Sequence, residues 1–157
     1  MQERSESTIV RVRDVMTARP ASALASTSLP DIAKMLIEHD CGAIPIVADA
    51  KGRKPIGVVT DRDIACRAVA EGENSSRLTA GDCMSSPCLT AEEETSLEDC
   101  CRLMEVNRVR RIVVVDGSGG CTGIVSQADV ARRAPEAKIA EVVRKVSQPT
   151  ASASAVS

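Results

Sequence analysis

The chain carries its own pattern twice, and this constrains its fold more than any other feature. Asp14-Val15-Met16-Thr17 falls on Asp82-Cys83-Met84-Ser85 at a shift of 68, with Pro20 and Pro87 following at 67. At the same shift of 68, Ser28-Leu29-Pro30-Asp31 falls on Ser96-Leu97-Glu98-Asp99, and Ile44-Pro45-Ile46-Val47 on Ile112-Val113-Val114-Val115. The next turn is two residues shorter in the second copy. Beyond it, at a shift of 66, the nine residues from Gly57 to Ala65 fall on Gly123 to Ala131, and Arg67 meets Arg133. Matches in one order, with one small indel inside a turn, are hard to produce by chance.

Each copy spells the same elements. Ser28 and Ser96 read as helix N-caps, with Asp31 and Asp99 three residues on. Pro30 sits in the first turn, where its missing N–H costs nothing. Segments 29–39 and 97–107 put Ile32, Met35, Leu36 and Cys100, Leu103, Met104 on one helical face. The β-branched runs Ile44–Ala48 and Ile112–Val115 read as strands. Asp49–Lys54 and Asp116–Gly120 are turns, and Ile56–Thr60 and Cys121–Ser126 are antiparallel return strands, since so short a connection forbids a parallel crossover. Helices then start at Asp61 and Gln127. The Gly-rich run at 116–120 leads into a strand, so it is a hairpin turn and not a phosphate-binding loop.

The expected domain organisation is a loose N-terminus (1–8), a first motif (9–70), a polar linker (71–80) and a second motif (81–134). An amphipathic helix (135–147) and a disordered tail (148–157) follow. The expected fold class is α+β in two layers with pseudo-twofold symmetry. Each copy would be a small three-stranded sheet with two helices, and the two sheets would pack together, because one copy buries too little surface alone. Clefts between the copies are where ligands would bind.

Composition removes several functions. Among 157 residues there is no Phe, Tyr or Trp, which excludes aromatic stacking of unpaired bases and aromatic cages for quaternary ammonium groups. Lys+Arg is 20 against 22 Asp+Glu, no basic footprint for a nucleic acid. The apolar runs are too short to span a membrane, and no secretory signal is visible, so a cytoplasmic location is expected. The seven cysteines contain no CxxC pair and the only histidine is His39. They read as small buried hydrophobes, with a thiol-dependent redox or metal protein as the last-ranked reading. His39 reads as a helix-end residue. No nucleophile–base pair or acid–base carboxylate pair stands out, so an enzyme is not expected.

The motifs Asp14-Val15-Met16-Thr17, Gly42-Ala43-Ile44-Pro45-Ile46-Val47 and Gly57-Val58-Val59-Thr60-Asp61-Arg62-Asp63, with their counterparts over Asp82–Ser85, Val109–Asp116 and Gly123–Asp129, resemble the cystathionine-β-synthase (CBS) domain in tandem. The resemblance covers residues 10–134 and is that of a stand-alone bacterial CBS pair. It implies a non-catalytic regulatory module that binds AMP, ADP, ATP, NAD or S-adenosylmethionine, pairs into a disc-like homodimer and signals to an effector protein. The family's Gly-x-x-Thr/Ser-x-x-Asp motif maps onto Gly57, Thr60 and Asp63, and onto Gly123, Ser126 and Asp129.

Site 1 is therefore expected to comprise Thr17, Gly42, Ala43, Ile44, Pro45, Gly57, Thr60, Arg62 and Asp63. Site 2 is expected to comprise Ser85, Arg110, Arg111, Ile112, Val113, Gly123, Ser126, Ala128 and Asp129. The hydroxyls would meet phosphate at a strand-to-helix junction and the carboxylates the ribose hydroxyls. Gly57 and Gly123 would admit the ligand, and adenine would lie against Ile44 and Pro45, or Ile112 and Val113. Arg110 or Arg111 would contact phosphate, with Arg62 as the parallel candidate; a solvated strand edge is the competing role for the arginines. Thr60/Asp63 and Ser126/Asp129 are equally good helix caps with no ligand. The alternative function is thus a structural or protein-interaction module with vestigial sites.

Overall fold

The computed structural model describes residues 9–134, with Glu136 and Arg144 beyond them. Apart from those two positions, the expected helix over 135–147 and the expected loose ends 1–8 and 148–157 lie outside the described residues.

The order is α1 (Val12–Val15), β1 (Thr17–Ala18), β2 (Ala23–Leu24), α2 (Leu29–Glu38), β3 (Ala43–Val47), β4 (Pro55–Thr60) and α3 (Asp61–Ile64), which runs on through a π-helical turn (Ala65–Val69). After a 3₁₀ turn (Ser75–Arg77) the pattern repeats as α4 (Ala80–Cys83), β5 (Thr90–Glu92), α5 (Leu97–Asn107), β6 (Arg111–Val115), β7 (Cys121–Ser126) and α6 (Gln127–Arg133). The caps form where expected. Ser28 Oγ accepts from Asp31 N–H at 3.2 Å and Ser96 Oγ from Asp99 N–H at 3.1 Å. Helices α2 and α5 end at the corresponding left-handed residues Asp40 (φ 46°) and Arg108 (φ 54°). The Gly-rich run is the hairpin turn joining β6 to β7. Asp116 Oδ1 accepts from the Ser118 hydroxyl at 2.6 Å and from the N–H groups of Ser118 and Gly120, and these bonds hold its carboxyl below the usual range.

The first sheet has the order β2-β3-β4, with β2 parallel and β4 antiparallel to β3. The second repeats this as β5-β6-β7, then adds β1 antiparallel to β7, with Thr17 opposite Ile124. The three-strand expectation therefore holds for the first sheet, while the second has four strands. The extra strand comes from the other copy. The reverse exchange is a single bridge, Ser85 opposite Val58, with Ser85 N–H donating to Val58 C=O at 2.9 Å.

The entry helices cross as well. Val12 and Val15 of α1 are buried under α5 with Cys100, Met104 and Ile112. Ala80 and Cys83 of α4 are buried under α2 with Ile32 and Ile44. Backbone bonds repeat the symmetry: Val12 N–H to Thr95 C=O at 2.9 Å, and Ala80 N–H to Thr27 C=O at 2.8 Å. Burying a valine is worth about 1.5–3 kcal/mol, so the second half depends most on the helix it receives, while the first receives the smaller Ala80 and Cys83. A third cluster, Val47, Val113 and Cys121 with half-buried Val58 and Cys88, joins the two halves. The hairpin turns also meet there, where Cys121 N–H donates to Arg53 C=O at 2.8 Å.

Candidate functional site

Because the entry segments cross, two related clefts open between the halves, each walled by both copies. Cleft A, of 360 Å³, is lined by Thr17, Arg19, Pro20 and Ala21 of the first entry segment, by His39–Ala43, and by Ile124, Ser126, Ala128, Asp129 and Arg132. Cleft B, of 640 Å³, is lined by the counterparts: Ser85 and Pro87–Leu89, then Arg108–Arg111, then Val58, Thr60, Asp61, Arg62 and Asp63. Both volumes fall in the range of small-molecule sites. Arg111 lines both clefts, and also a shallow groove shared with Arg110, Ser126 and Gln127.

The expected residues are regrouped by this crossing. Thr17, Gly42 and Ala43 face Ser126, Ala128 and Asp129, not Thr60 and Asp63. Ser85, Arg110 and Arg111 face Thr60, Arg62 and Asp63. The Ser85 hydroxyl donates to Asp63 Oδ1 at 3.3 Å across the cleft. Sequence grouped these residues by copy, but the strand exchange pairs the entry segment of one copy with the motif of the other.

The proposed adenine shelf does not line either cleft. Ile44 and Ile112 are 0% and 1% exposed and belong to the cores beneath α2 and α5. Pro45 is buried within β3, and Val113 between the sheets. The apolar walls are instead Ile124, Ala43, Pro20 and Ala21 in cleft A, and Val58, Pro87, Cys88, Leu89 and Val109 in cleft B. Val58 and Ile124 could have been found from strand alternation, since each lies two residues before the motif hydroxyl and so on its face. Gly57 and Gly123 are also buried away from the clefts. A Cβ on Gly57 would lie 2.7 Å from Met84 Sδ and 2.9 Å from the Ser85 carbonyl oxygen, and one on Gly123 would overlap Met16 Sδ and lie 3.2 Å from the Thr17 oxygen. They leave room for the crossing chain.

Both motifs form reciprocal caps. Thr60 N–H donates to Asp63 Oδ2 at 2.9 Å, and Asp63 N–H to Thr60 Oγ1 at 3.0 Å. Ser126 N–H and Asp129 Oδ2 repeat this at 2.9 Å, with Asp129 N–H to Ser126 Oγ at 3.1 Å. Asp129 is only 4% exposed and is paired with Arg132 Nη2 at 2.8 Å.

The clefts differ in charge where the copies differ in sequence. Cleft A carries Asp40-Cys41-Gly42-Ala43 where cleft B carries Arg108-Val109-Arg110-Arg111. Among the described residues, the side chains of Arg62, Arg108, Arg110 and Arg111 make no ion pair or hydrogen bond. His39 is the C-cap of α2 and lies on the wall of cleft A.

The cysteines are mostly packing groups. Cys83, Cys100, Cys101 and Cys121 are buried, and only Cys41 and Cys66 are exposed. Burial, with Cys121 nearby, pushes the Cys88 thiol up to about 11, and burial beside Cys101 pushes Cys100 to about 12. Thiols held protonated are poor nucleophiles and metal ligands. Among the described residues no three His, Cys, Asp or Glu side chains cluster to hold a metal ion, and no helix is long and apolar enough to cross a membrane.

The family model of the CBS domain matches residues 12–68 and 80–136. Hypoxic response protein 1 of Mycobacterium tuberculosis is 33% identical over 142 residues, covering 90% of this chain and 97% of that protein. An uncharacterized protein of Methanopyrus kandleri, MK0525, is 33% identical over 123 residues, 78% of this chain, which spans 59% of its length. Among solved structures, the CBS domain pair of protein MJ0100 in complex with 5-methylthioadenosine and S-adenosyl-L-methionine superposes with a TM-score of 0.70. It is 31% identical and covers 79% of this chain and 94% of that one. CBSX2 of Arabidopsis thaliana in complex with AMP superposes at 0.68, with 30% identity over 82% of this chain and 98% of that one.

Proposed function

Since this chain belongs to the CBS-domain family and carries the domain twice, we propose that it is a non-catalytic sensor of adenosine-containing ligands: AMP, ADP, ATP, NAD or S-adenosylmethionine. The observation that carries this reading is the pair of symmetry-related clefts, each with a hydroxyl-and-carboxylate motif opposite an entry segment from the other copy. The solved relatives that hold AMP, or 5-methylthioadenosine and S-adenosylmethionine, support the ligand class. In each cleft the carboxylate of Asp63 or Asp129 accepts from ribose hydroxyls, Thr60 or Ser126 meets phosphate, and Val58 or Ile124 contacts adenine. The four unpartnered arginines favour a phosphate chain in cleft B. Because each cleft is walled by both copies, a ligand favours one packing of the halves over another, and an effector protein reads that shift. Pairing into a homodimer is supported by exposed Ile37 (80%) and Val106 (72%) near matching ends of α2 and α5.

A thermal-shift and calorimetric panel with AMP, ATP, NAD and S-adenosylmethionine tests this. At least one should stabilise the chain, by about 2.7 kcal/mol at a hundredfold excess over Kd. Asp63→Ala should weaken binding at cleft B and Asp129→Ala at cleft A. With no Tyr or Trp in the chain, near-ultraviolet absorbance of the purified protein reports co-purified adenine directly. The complete reciprocal caps favour a second reading, a structural or protein-interaction module whose motifs serve only α3 and α6. In that case the aspartate variants lose stability, and no ligand on the panel shifts the melting temperature.

A further inference from the structure

Arg111 stands where the two clefts meet, and among the described residues it alone lines both. It opens β6 opposite Ser126, and its side chain is half-buried. The guanidinium lies against Gly42: a Cβ there would be 2.7 Å from Arg111 Nη2 and 3.7 Å from Asp61 Oδ2. Its counterpart in the other copy is Ala43, so the pseudo-twofold supplies no second cation in the matching place. Among the described residues its side chain has no hydrogen-bond or ion-pair partner. A partly buried arginine whose guanidinium is not paired, even with Asp61 nearby, is open to an anion from either side.

We propose that Arg111 is a phosphate-positioning residue shared by the two clefts, so that a phosphate-bearing ligand in one weakens the other for a second. This rests on the reading of the clefts as adenosyl sites. The guanidinium offers five N–H donors in one plane, and it cannot face phosphates on both sides of itself at full strength. Cleft B holds it more strongly, because Arg62, Arg108 and Arg110 fix a phosphate chain there. Cleft A is then left with its own cations, Arg19 and Arg132, the latter committed to Asp129. Adenosine has no phosphate, draws nothing from Arg111 and leaves the clefts independent.

Titration calorimetry of the full chain with ATP and with adenosine tests this. In Asp63→Ala, where cleft B is disabled, ATP reports the unhindered affinity of cleft A. In the parent protein with cleft B filled, ATP should bind cleft A about tenfold more weakly than that, a common size of coupling between sites. Arg111→Ala should weaken ATP at both clefts and abolish the coupling. Gly42→Ala should reduce the coupling by displacing the guanidinium while keeping its charge. Adenosine should show no coupling in any variant. Independent ATP binding in the parent protein, coupling that survives Arg111→Ala, or equal coupling with adenosine overturns the shared cation and leaves the sensor reading standing. ATP binding at neither cleft overturns the shared cation, and the sensor reading falls with it only if AMP, NAD and S-adenosylmethionine also fail to bind.

Discussion

A methyl group at position 57 would have nowhere to go. Met84 could swing away from it, but the Ser85 carbonyl oxygen, 2.9 Å distant, is backbone and is held by its bond to Val58 N–H at 3.1 Å. Overpacking of this kind costs about 1–3 kcal/mol. Gly57→Ala and Gly123→Ala should each lower the urea midpoint followed by far-ultraviolet circular dichroism, with no change in slope. If either variant keeps full stability and only weakens ligand, the glycine serves the ligand instead. The glycines were legible as motif positions, and their role was not. A strand sequence shows which residues need a bare backbone, but not which other segment approaches it. The same limit misassigned Ile44 and Ile112. Alternation along β3 and β6 gave two faces, and only the helices laid over one of them make it the core face.

The four-residue helices α1 and α4 lie below the length at which apolar periodicity can be read, so no helix is expected there from the sequence. Their anchorage is visible at their C-terminal ends. Arg133 Nη1 donates to the carbonyls of Val15 and Met16 at 3.3 and 2.9 Å, and Arg67 Nη1 to those of Cys83 and Met84 at 3.2 and 2.8 Å. One guanidinium thus satisfies two carbonyls that such a short helix leaves unpaired. Both arginines are largely exposed, which discounts the charge assistance. Arg67→Ala and Arg133→Ala should each cost about 1 kcal/mol, read as a fall of about 2–4 °C in melting temperature. A fall no larger than that of Lys34→Ala, on the outer face of α2, would show that the entry helices are held by Val12, Val15, Ala80 and Cys83 alone. The longer elements were legible because caps and periodicity agreed. Ser28 and Ser96 start their helices as expected, and α3 and α6 begin at Asp61 and Gln127.

For the whole molecule, the repeat announced two copies and a shared core but not the crossing, which leaves no local signature in either copy. Residues 1–70 alone would lack Ala80 and Cys83 from their core and carry Val12 and Val15 with nothing to cover them. Chains 1–70 and 71–157, expressed separately, should show little helical circular dichroism, and mixing them should restore it. A cooperative thermal transition in either piece alone would contradict the mutual dependence. The crossing also bears on ancestry. A single copy could place its entry helix under another α2, and its arginine on another helix end, only by meeting a second molecule like itself. The present chain has the geometry of a domain-swapped pair of copies joined end to end. One continuous chain frees the two halves from identity. A symmetric pair of identical copies would have to present the same loop to both clefts, whereas this chain keeps Asp40-Cys41-Gly42-Ala43 on one side and Arg108-Val109-Arg110-Arg111 on the other.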